Sequence, residues 1–175
     1  MKIMILCAAF SLLSAVAQGQ WEAEADPAAY GLKGFSVHVG HPIFDRRSRL
    51  QLGAFGAETP EWIHGNRGFA ENSRGVTFKF DYFPLRPSSG LFFGVDSNYA
   101  RVRYELNQTH ERTYRRIVGL GPRVGYRFNF GKHLYVSPWV SVDYQFNARD
   151  VTISGKIFHE PRFSVFPAAH LGWKF

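Results

Sequence analysis

The sequence is short of thiols. Its only cysteine, Cys7, sits inside an N-terminal apolar stretch, so everything after that stretch is without disulfides or thiol chemistry. Beyond that stretch there is also no apolar run approaching the ~20 residues that a membrane-spanning helix needs. The seven histidines are scattered, with no close pair on one strand face and no cysteine beside them, which argues against a metal site. No internal repeat longer than a hairpin, low-complexity tract, linker or nucleic-acid motif is present. What remains is a single domain with many aromatics (17 Phe, 8 Tyr and 4 Trp) and 17 glycines, held without covalent staples.

The N-terminus reads as an export signal. Lys2 supplies a positive start, residues 3–13 are apolar apart from Ser11, and Ala15-Val16-Ala17 places small residues where a signal peptidase reads them. Cleavage after Ala17 would leave 175 − 17 = 158 residues. Cys7 comes too early to be a lipoprotein cysteine.

The order of the apolar residues then points to strands. From 134 to 147 the even positions are Leu134, Val136, Pro138, Val140, Val142, Tyr144 and Phe146, while the odd ones are mostly polar. From 118 to 130, Val118, Leu120, Pro122, Val124, Tyr126, Phe128 and Phe130 alternate with Gly119, Gly121, Arg123, Gly125, Arg127 and Asn129. The last segment repeats the pattern through Phe163, Val165, Pro167, Ala169, Leu171, Trp173 and Phe175. Shorter alternating segments start near Phe35, Leu50, Val76 and Leu91. Past Ser97 the apolar parity changes to Val102, Tyr104 and Leu106, which predicts a bulge near Ala100.

These make seven strands, and closure calls for an even number. The eighth lies either within 21–32 or within 151–158. Tight connections at 84–90 and 131–133 alternate with long polar ones at 62–73, 105–112 and 148–162, as expected for periplasmic turns and extracellular loops. The predicted organisation is a signal at 1–17, an N-terminal segment at 18–29 that can hold a weak first strand, and a barrel over 30–175. The fold class is all-β: a closed antiparallel transmembrane β-barrel of eight strands.

Alternation alone also fits a soluble sandwich. Three details favour the membrane. The proposed outer face is uncharged along the three longest strands, and its aromatics gather near strand ends, as in interfacial girdles. The other face mixes glycine with Arg, Lys and Asp, suited to a narrow lumen. Finally, the chain stops on an alternating strand closing Leu171-Gly172-Trp173-Lys174-Phe175. That ending resembles the C-terminal signal of bacterial outer-membrane proteins, with Leu171, Trp173 and Phe175 as the residues read by the barrel-assembly machinery. Gly121-Pro-Arg-Val-Gly-Tyr-Arg-Phe128 likewise resembles strands of small barrels of the outer-membrane protein A, X and W type. The resemblance implies a bacterial outer-membrane location and a monomer.

The expected lumen set is Lys79, Asp81, Asp96, Arg123, Arg127, Asp143 and His170, with Lys174 and His38 as further candidates. Buried charges must pair, and an eight-stranded barrel is just wide enough for side chains to fill. A polar plug is therefore expected, with Gly119, Gly121 and Gly125 making room for Arg123, Arg127 and Trp139. Catalytic, cofactor-binding and metal residues are expected to be absent. Outer-membrane lipid A deacylases and acyltransferases use a Ser/His/acid set, and His64, His110 and His159 show no such spacing with Ser73, Glu105, Glu111 and Glu160. The formal charge is +7, or +6 without Lys2. Its arginines, expected in loops and at strand ends (Arg46, Arg47, Arg49, Arg67, Arg74, Arg101, Arg103, Arg112, Arg115, Arg116, Arg149 and Arg162), suit lipopolysaccharide phosphate. The expected role is structural or surface-binding through long extracellular loops. A narrow porin-like channel for small solutes is the alternative, and a lipid A-modifying enzyme the second. No cofactor and no nucleic-acid partner are expected.

Overall fold

A computed structural model describes residues 20–175; the expected signal peptide at 1–17 lies outside them. Eight antiparallel strands close into a barrel. Around the wall the order is β1 (Glu22–Ala25), β10 (Phe163–Lys174), β7 (Leu134–Gln145), β6 (Arg112–Phe130), β5 (Gly90–Leu106), β4 (Phe69–Tyr82), β3 (Ser48–Thr59) and β2 (Phe35–Ile43), which returns to β1. Two short helices, α1 (Pro27–Gly31) and α2 (Glu61–His64), sit in connections. A separate two-stranded hairpin joins β8 (Val151–Ile153) to β9 (Lys156–Phe158).

The closing strand is β1, within the 21–32 segment. It pairs with β2 on one side, Glu22 opposite Gly40, and with β10 on the other, Glu22 opposite Lys174. The barrel therefore begins at Glu22, ahead of the boundary at residue 30 set by the sequence pattern. Four residues of alternating Glu and Ala carry too little apolar signal to be told from a loop. Asp26 ends the strand by capping α1, its side chain accepting from Ala28 N at 3.0 Å, and Pro27 starts the helical turn. The segment 151–158, the other candidate, is a loop hairpin and not a wall strand.

The bulge expected near Ala100 is absent. β5 keeps an unbroken register with β4 from Phe93 to Leu106 and with β6 from Gly90 to Glu105. Its even positions stay inward throughout: Phe92 and Asp96, then Ala100, Val102, Tyr104 and Leu106, all buried. What changes is the chemistry of the interior, which turns apolar toward one end. The same strands correct the expected loop at 105–112: β5 runs to Leu106 and β6 starts at Arg112, so only a short turn joins them.

The outer face is a continuous apolar band. Val39, Leu52 and Phe78 lie side by side on three neighbouring strands, as do Val76, Tyr99 and Val118, and all are substantially exposed. Twelve residues at ~3.3 Å rise and ~45° tilt cross about 28 Å, enough for the hydrocarbon layer. β4, β5 and β6 rise above the others at the end opposite the chain termini, Phe69 at the start of β4 standing opposite Leu106 at the end of β5.

Candidate functional site

The inward faces build the site from two layers. In the layer nearer the termini, β1 supplies two carboxylates. Arg127 on β6 donates to Glu22 Oε1 at 3.0 Å, and Tyr135 on β7 donates to Glu22 Oε2 at 3.2 Å. Arg49 on β3 bridges Glu22, Glu24 and Asp81, reaching Asp81 Oδ2 at 2.6 Å. Gln51 donates to Glu24 Oε2 at 2.7 Å, and His170 Nδ1 meets the same oxygen at 2.7 Å. Arg123 sits 3.3 Å from Asp81 Oδ1 and lays its guanidinium over Trp139, 4.2 Å from the ring centroid. Above these, Lys79 lies 3.1 Å from His38 Nε2 and 3.9 Å from Asp96, which accepts from Thr77 at 2.7 Å. Asp143 accepts from Ser141 at 3.2 Å and from Asn98 at 3.4 Å.

All seven expected lumen residues are buried in this interior, and so is His38; Lys174 lies at its lower mouth. Within that set two opposite-charge pairs meet directly, Arg123 with Asp81 and Lys79 with Asp96. Arg127 and His170 are tied in through residues that sequence reasoning missed, Glu22 and Glu24 with Arg49 and Gln51 around them, while Asp143 is held by Ser141 and Asn98. Arg49, expected at the surface, has no exposed area at all. The signal for it was available, because Arg49 and Gln51 share the polar parity of their strand opposite Leu50 and Leu52. With five buried carboxylates (Glu22, Glu24, Asp81, Asp96, Asp143) against four cations (Arg49, Lys79, Arg123, Arg127), the layer is nearly balanced. Such a network tolerates burial where opposite charges meet; Arg123, whose guanidinium nitrogens make no hydrogen bond among the described residues, rests instead against Asp81 and over the Trp139 and Phe92 rings.

The glycines serve the packing differently from expectation. At Gly125 a Cβ would fall 2.4 Å from Phe92 Cζ and 2.6 Å from Trp139 Cβ, so it makes room for the Phe92 ring and for the Trp139 side chain where it leaves the backbone. At Gly121 it would fall 2.0 Å from the Val142 carbonyl oxygen, and Gly119 faces Asn98. These two accommodate β7 and Asn98, not the arginines.

One cluster has metal-like composition. Donor atoms of Glu24, His38 and His170 lie within 4.8 Å of one another. Their lone pairs and protons are largely engaged already: Glu24 with Arg49, Gln51 and His170, and His38 Nε2 with Lys79. A cation there would also face the Lys79 ammonium. The donor set fits a salt-linked network better than a metal.

The second layer shuts the far end. Phe158, Val151 and Ile153 from the β8–β9 hairpin pack onto Phe69, Val102, Tyr104, Leu106 and Ile117 inside the wall. Asn66 locks the hairpin in place, accepting from His159 N at 2.7 Å and donating to His159 O at 3.2 Å. Tyr104 donates to Glu160. Burial pushes the Glu160 carboxyl above the usual range, while Tyr104 and Arg115 pull it back down. In the same loop, the hydrogen bond to His159 holds Asp150 below its ordinary value.

The remaining arginines divide between the two ends of the barrel, with Arg74, Arg101 and Arg116 at the rim above the apolar band. Arg46 and Arg47 lie in the turn between β2 and β3, at the opposite end from Arg101, Arg103, Arg112 and Arg116. The rim histidines pair with acids: His110 Nδ1 lies 3.1 Å from Glu105 and His159 Nδ1 lies 2.9 Å from Asp150. Among the described residues neither imidazole is bonded to a serine hydroxyl.

No protein-family model matches the chain, and no curated protein does. Among solved structures, a major outer membrane protein from Thermus thermophilus superposes with a TM-score of 0.53 at 17% identity, covering 90% of this chain and 100% of that one. The N-terminal β-barrel domain of Pseudomonas aeruginosa OprF superposes at 0.49 and 14% identity, with the same coverages. The first likeness is one of fold: this chain has the closed-barrel architecture of that outer membrane protein.

Proposed function

We propose that this chain is a monomeric, integral outer-membrane barrel with a closed lumen and no enzymatic activity, acting through its surface. One observation carries the reading: the faces are inverted relative to a soluble protein. Large apolar side chains such as Leu52, at 63% exposure, cover the outside, while Arg49, Arg127 and Asp81 are enclosed. Water would reward the opposite arrangement, and lipid rewards this one. A bacterial outer membrane is the setting that the likeness to a Thermus outer membrane protein and an export signal at 1–17 support together.

The closed lumen is argued from the two layers, ion pairs below and an apolar lid above. Surface binding falls to the raised rim of β4, β5 and β6 more than to long loops, with outer-leaflet lipid, lipopolysaccharide above all, within reach. Leu171 and Trp173 lie on the outer face of β10 and Phe175 follows just past its end, all exposed and available to the barrel-assembly machinery before β1 pairs with that strand.

Two measurements test this. The folded protein should migrate differently from a boiled sample on a gel and fractionate with the outer membrane; a soluble, heat-indifferent protein overturns the reading. In planar bilayers it should give no steady conductance. Steady conductance that changes on Arg123→Gln or Arg127→Gln would assign the narrow-channel alternative instead. An altered lipid A acyl pattern in cells carrying the gene would overturn the absence of enzymatic activity.

A further inference from the structure

Three arginines stand in one row across the rim. Arg74 on β4 is directly opposite Arg101 on β5, and Arg101 is directly opposite Arg116 on β6. All three are exposed and point outward. Directly opposed like charges destabilise a sheet, so the row is costly unless something anionic covers it. Among the described residues no carboxylate lies within salt-bridge distance of any of the three, whereas neighbouring Arg103 and Arg112 both reach Glu105.

The row has a defined height. One step down each strand lies Val76–Tyr99–Val118, the upper edge of the apolar band. Two residues at ~3.3 Å rise, tilted ~45°, separate the rows by about 5 Å along the barrel axis. The arginines therefore stand where lipid headgroups begin.

The row also opens into a cleft. β7 ends at Gln145, opposite Gly119, so above that point β6 stays paired with β5 but among the described residues has no strand on its other side. Asn147 stitches the start of this edge, accepting from Val118 N at 3.0 Å and donating to Arg116 O. Above that point is an open cleft of about 730 Å³ lined by Arg101, Tyr114, Arg115, Arg116, Asn147 and Arg149. Tyr114 holds Arg101 in a stacked position, Cζ 4.3 Å from the ring centroid. Guanidinium forks bind phosphate oxygens in pairs.

We propose that Arg101, Arg116 and Arg149, extended by Arg74, form a clamp for the phosphate group of a phosphorylated glycolipid of the outer leaflet. The inference rests on the outer-membrane reading above and deepens it: it names which part of the rim binds and which chemical group it takes. A phosphate in the cleft offsets the repulsion along the row while the acyl chains lie against Val76, Tyr99 and Val118.

The test uses the detergent-extracted protein and a binding titration with bisphosphorylated lipid A. Its arms are dephosphorylated lipid A, inorganic phosphate as competitor, the variant Arg101→Gln/Arg116→Gln, and the control Arg46→Gln/Arg47→Gln at the other end of the barrel. Expected results are binding of the phosphorylated lipid, at least about tenfold weakening in the rim variant, a similar loss for the dephosphorylated lipid, and no change in the control. The same heat-dependent gel shift in variant and wild type shows that the rim variant still folds. Equal affinity of rim variant and wild type, or of both lipids, overturns the clamp. So does complete displacement by millimolar inorganic phosphate, which would make it a free-anion site. A barrel that is membrane-resident but indifferent to lipid phosphate defeats this inference alone; one that fails to enter the membrane defeats the reading beneath it.

Discussion

Arg127 donates to the carboxylate of Glu22 at 3.0 Å, although 105 residues separate them in the chain. The contact spans the lumen between β6 and β1, and it ties the four-residue closing strand to the opposite wall. Arg49 reaches the same carboxylate at 3.3 Å from β3. One buried acid thus holds two buried guanidinium groups.

Replacing Glu22 with Ala takes away the hydrogen-bonded carboxylate of Arg127, leaving it only Glu24 at 3.7 Å, while Arg49 keeps Glu24 and Asp81. Breaking one side of a buried charge network costs about 3–5 kcal/mol, so E22A should be destabilised by that order. Urea unfolding in phospholipid vesicles, followed by tryptophan fluorescence, reads the change. A loss below about 1 kcal/mol would mean that water or another acid takes over the pairing.

Lipid contact is tested at Leu52, which lies between Val39 and Phe78 in the middle of the outer band. Leu52→Arg should cost about 2–4 kcal/mol in a bilayer, the range for a charge near the midplane of such a barrel. Equal stability of wild type and variant would place this face away from acyl chains.

The apolar lid depends on Phe158, which is fully buried against Tyr104 at a ring-centroid distance of 4.7 Å. Phe158→Ala removes about 3–5 kcal/mol of packing. The loss should loosen the hairpin without opening the wall. Faster amide exchange is expected in 151–158, with exchange in β6 and β7 unchanged. Uniformly faster exchange would show that lid and wall unfold as one unit.

Lid docking should also weaken as pH rises. Burial, its largest influence, raises the Glu160 carboxyl above 4.5 in the docked loop. A group whose pKa is raised on folding stabilises fully below its unfolded value and loses that contribution as pH climbs through the folded one. Exchange protection of the hairpin, corrected for intrinsic rates, should therefore fall from pH 4.5 upward and level off above the raised value. Glu160→Gln should flatten the profile. Asp150 moves the other way, and its contribution fades only in acid, below its ordinary 3.8. Protection that increases with pH across this window would contradict the assignment.

The sequence by itself determined the wall and which way it faces. Pleated strands put alternate residues on opposite sides, so Val118 to Phe130 and Leu134 to Phe146 declare an apolar side, and Lys79, Asp81, Asp96, Arg123, Arg127, Asp143 and His170 fall on the other. Only the tertiary structure decided which strand closes the ring, which residues pair inside it, and where the interior turns apolar. Closure brings Glu22 beside Lys174, a pairing with no local trace in four residues of Glu and Ala. Arg49 needed Glu22, Glu24 and Asp81 around it before its burial made sense. The parity of Val102, Tyr104 and Leu106 suggests a bulge only if the lumen is polar throughout; the hairpin that lines it with Phe158 comes from more than forty residues away. Alternation is a property of neighbouring residues, whereas partnership across a barrel is a property of the closed ring.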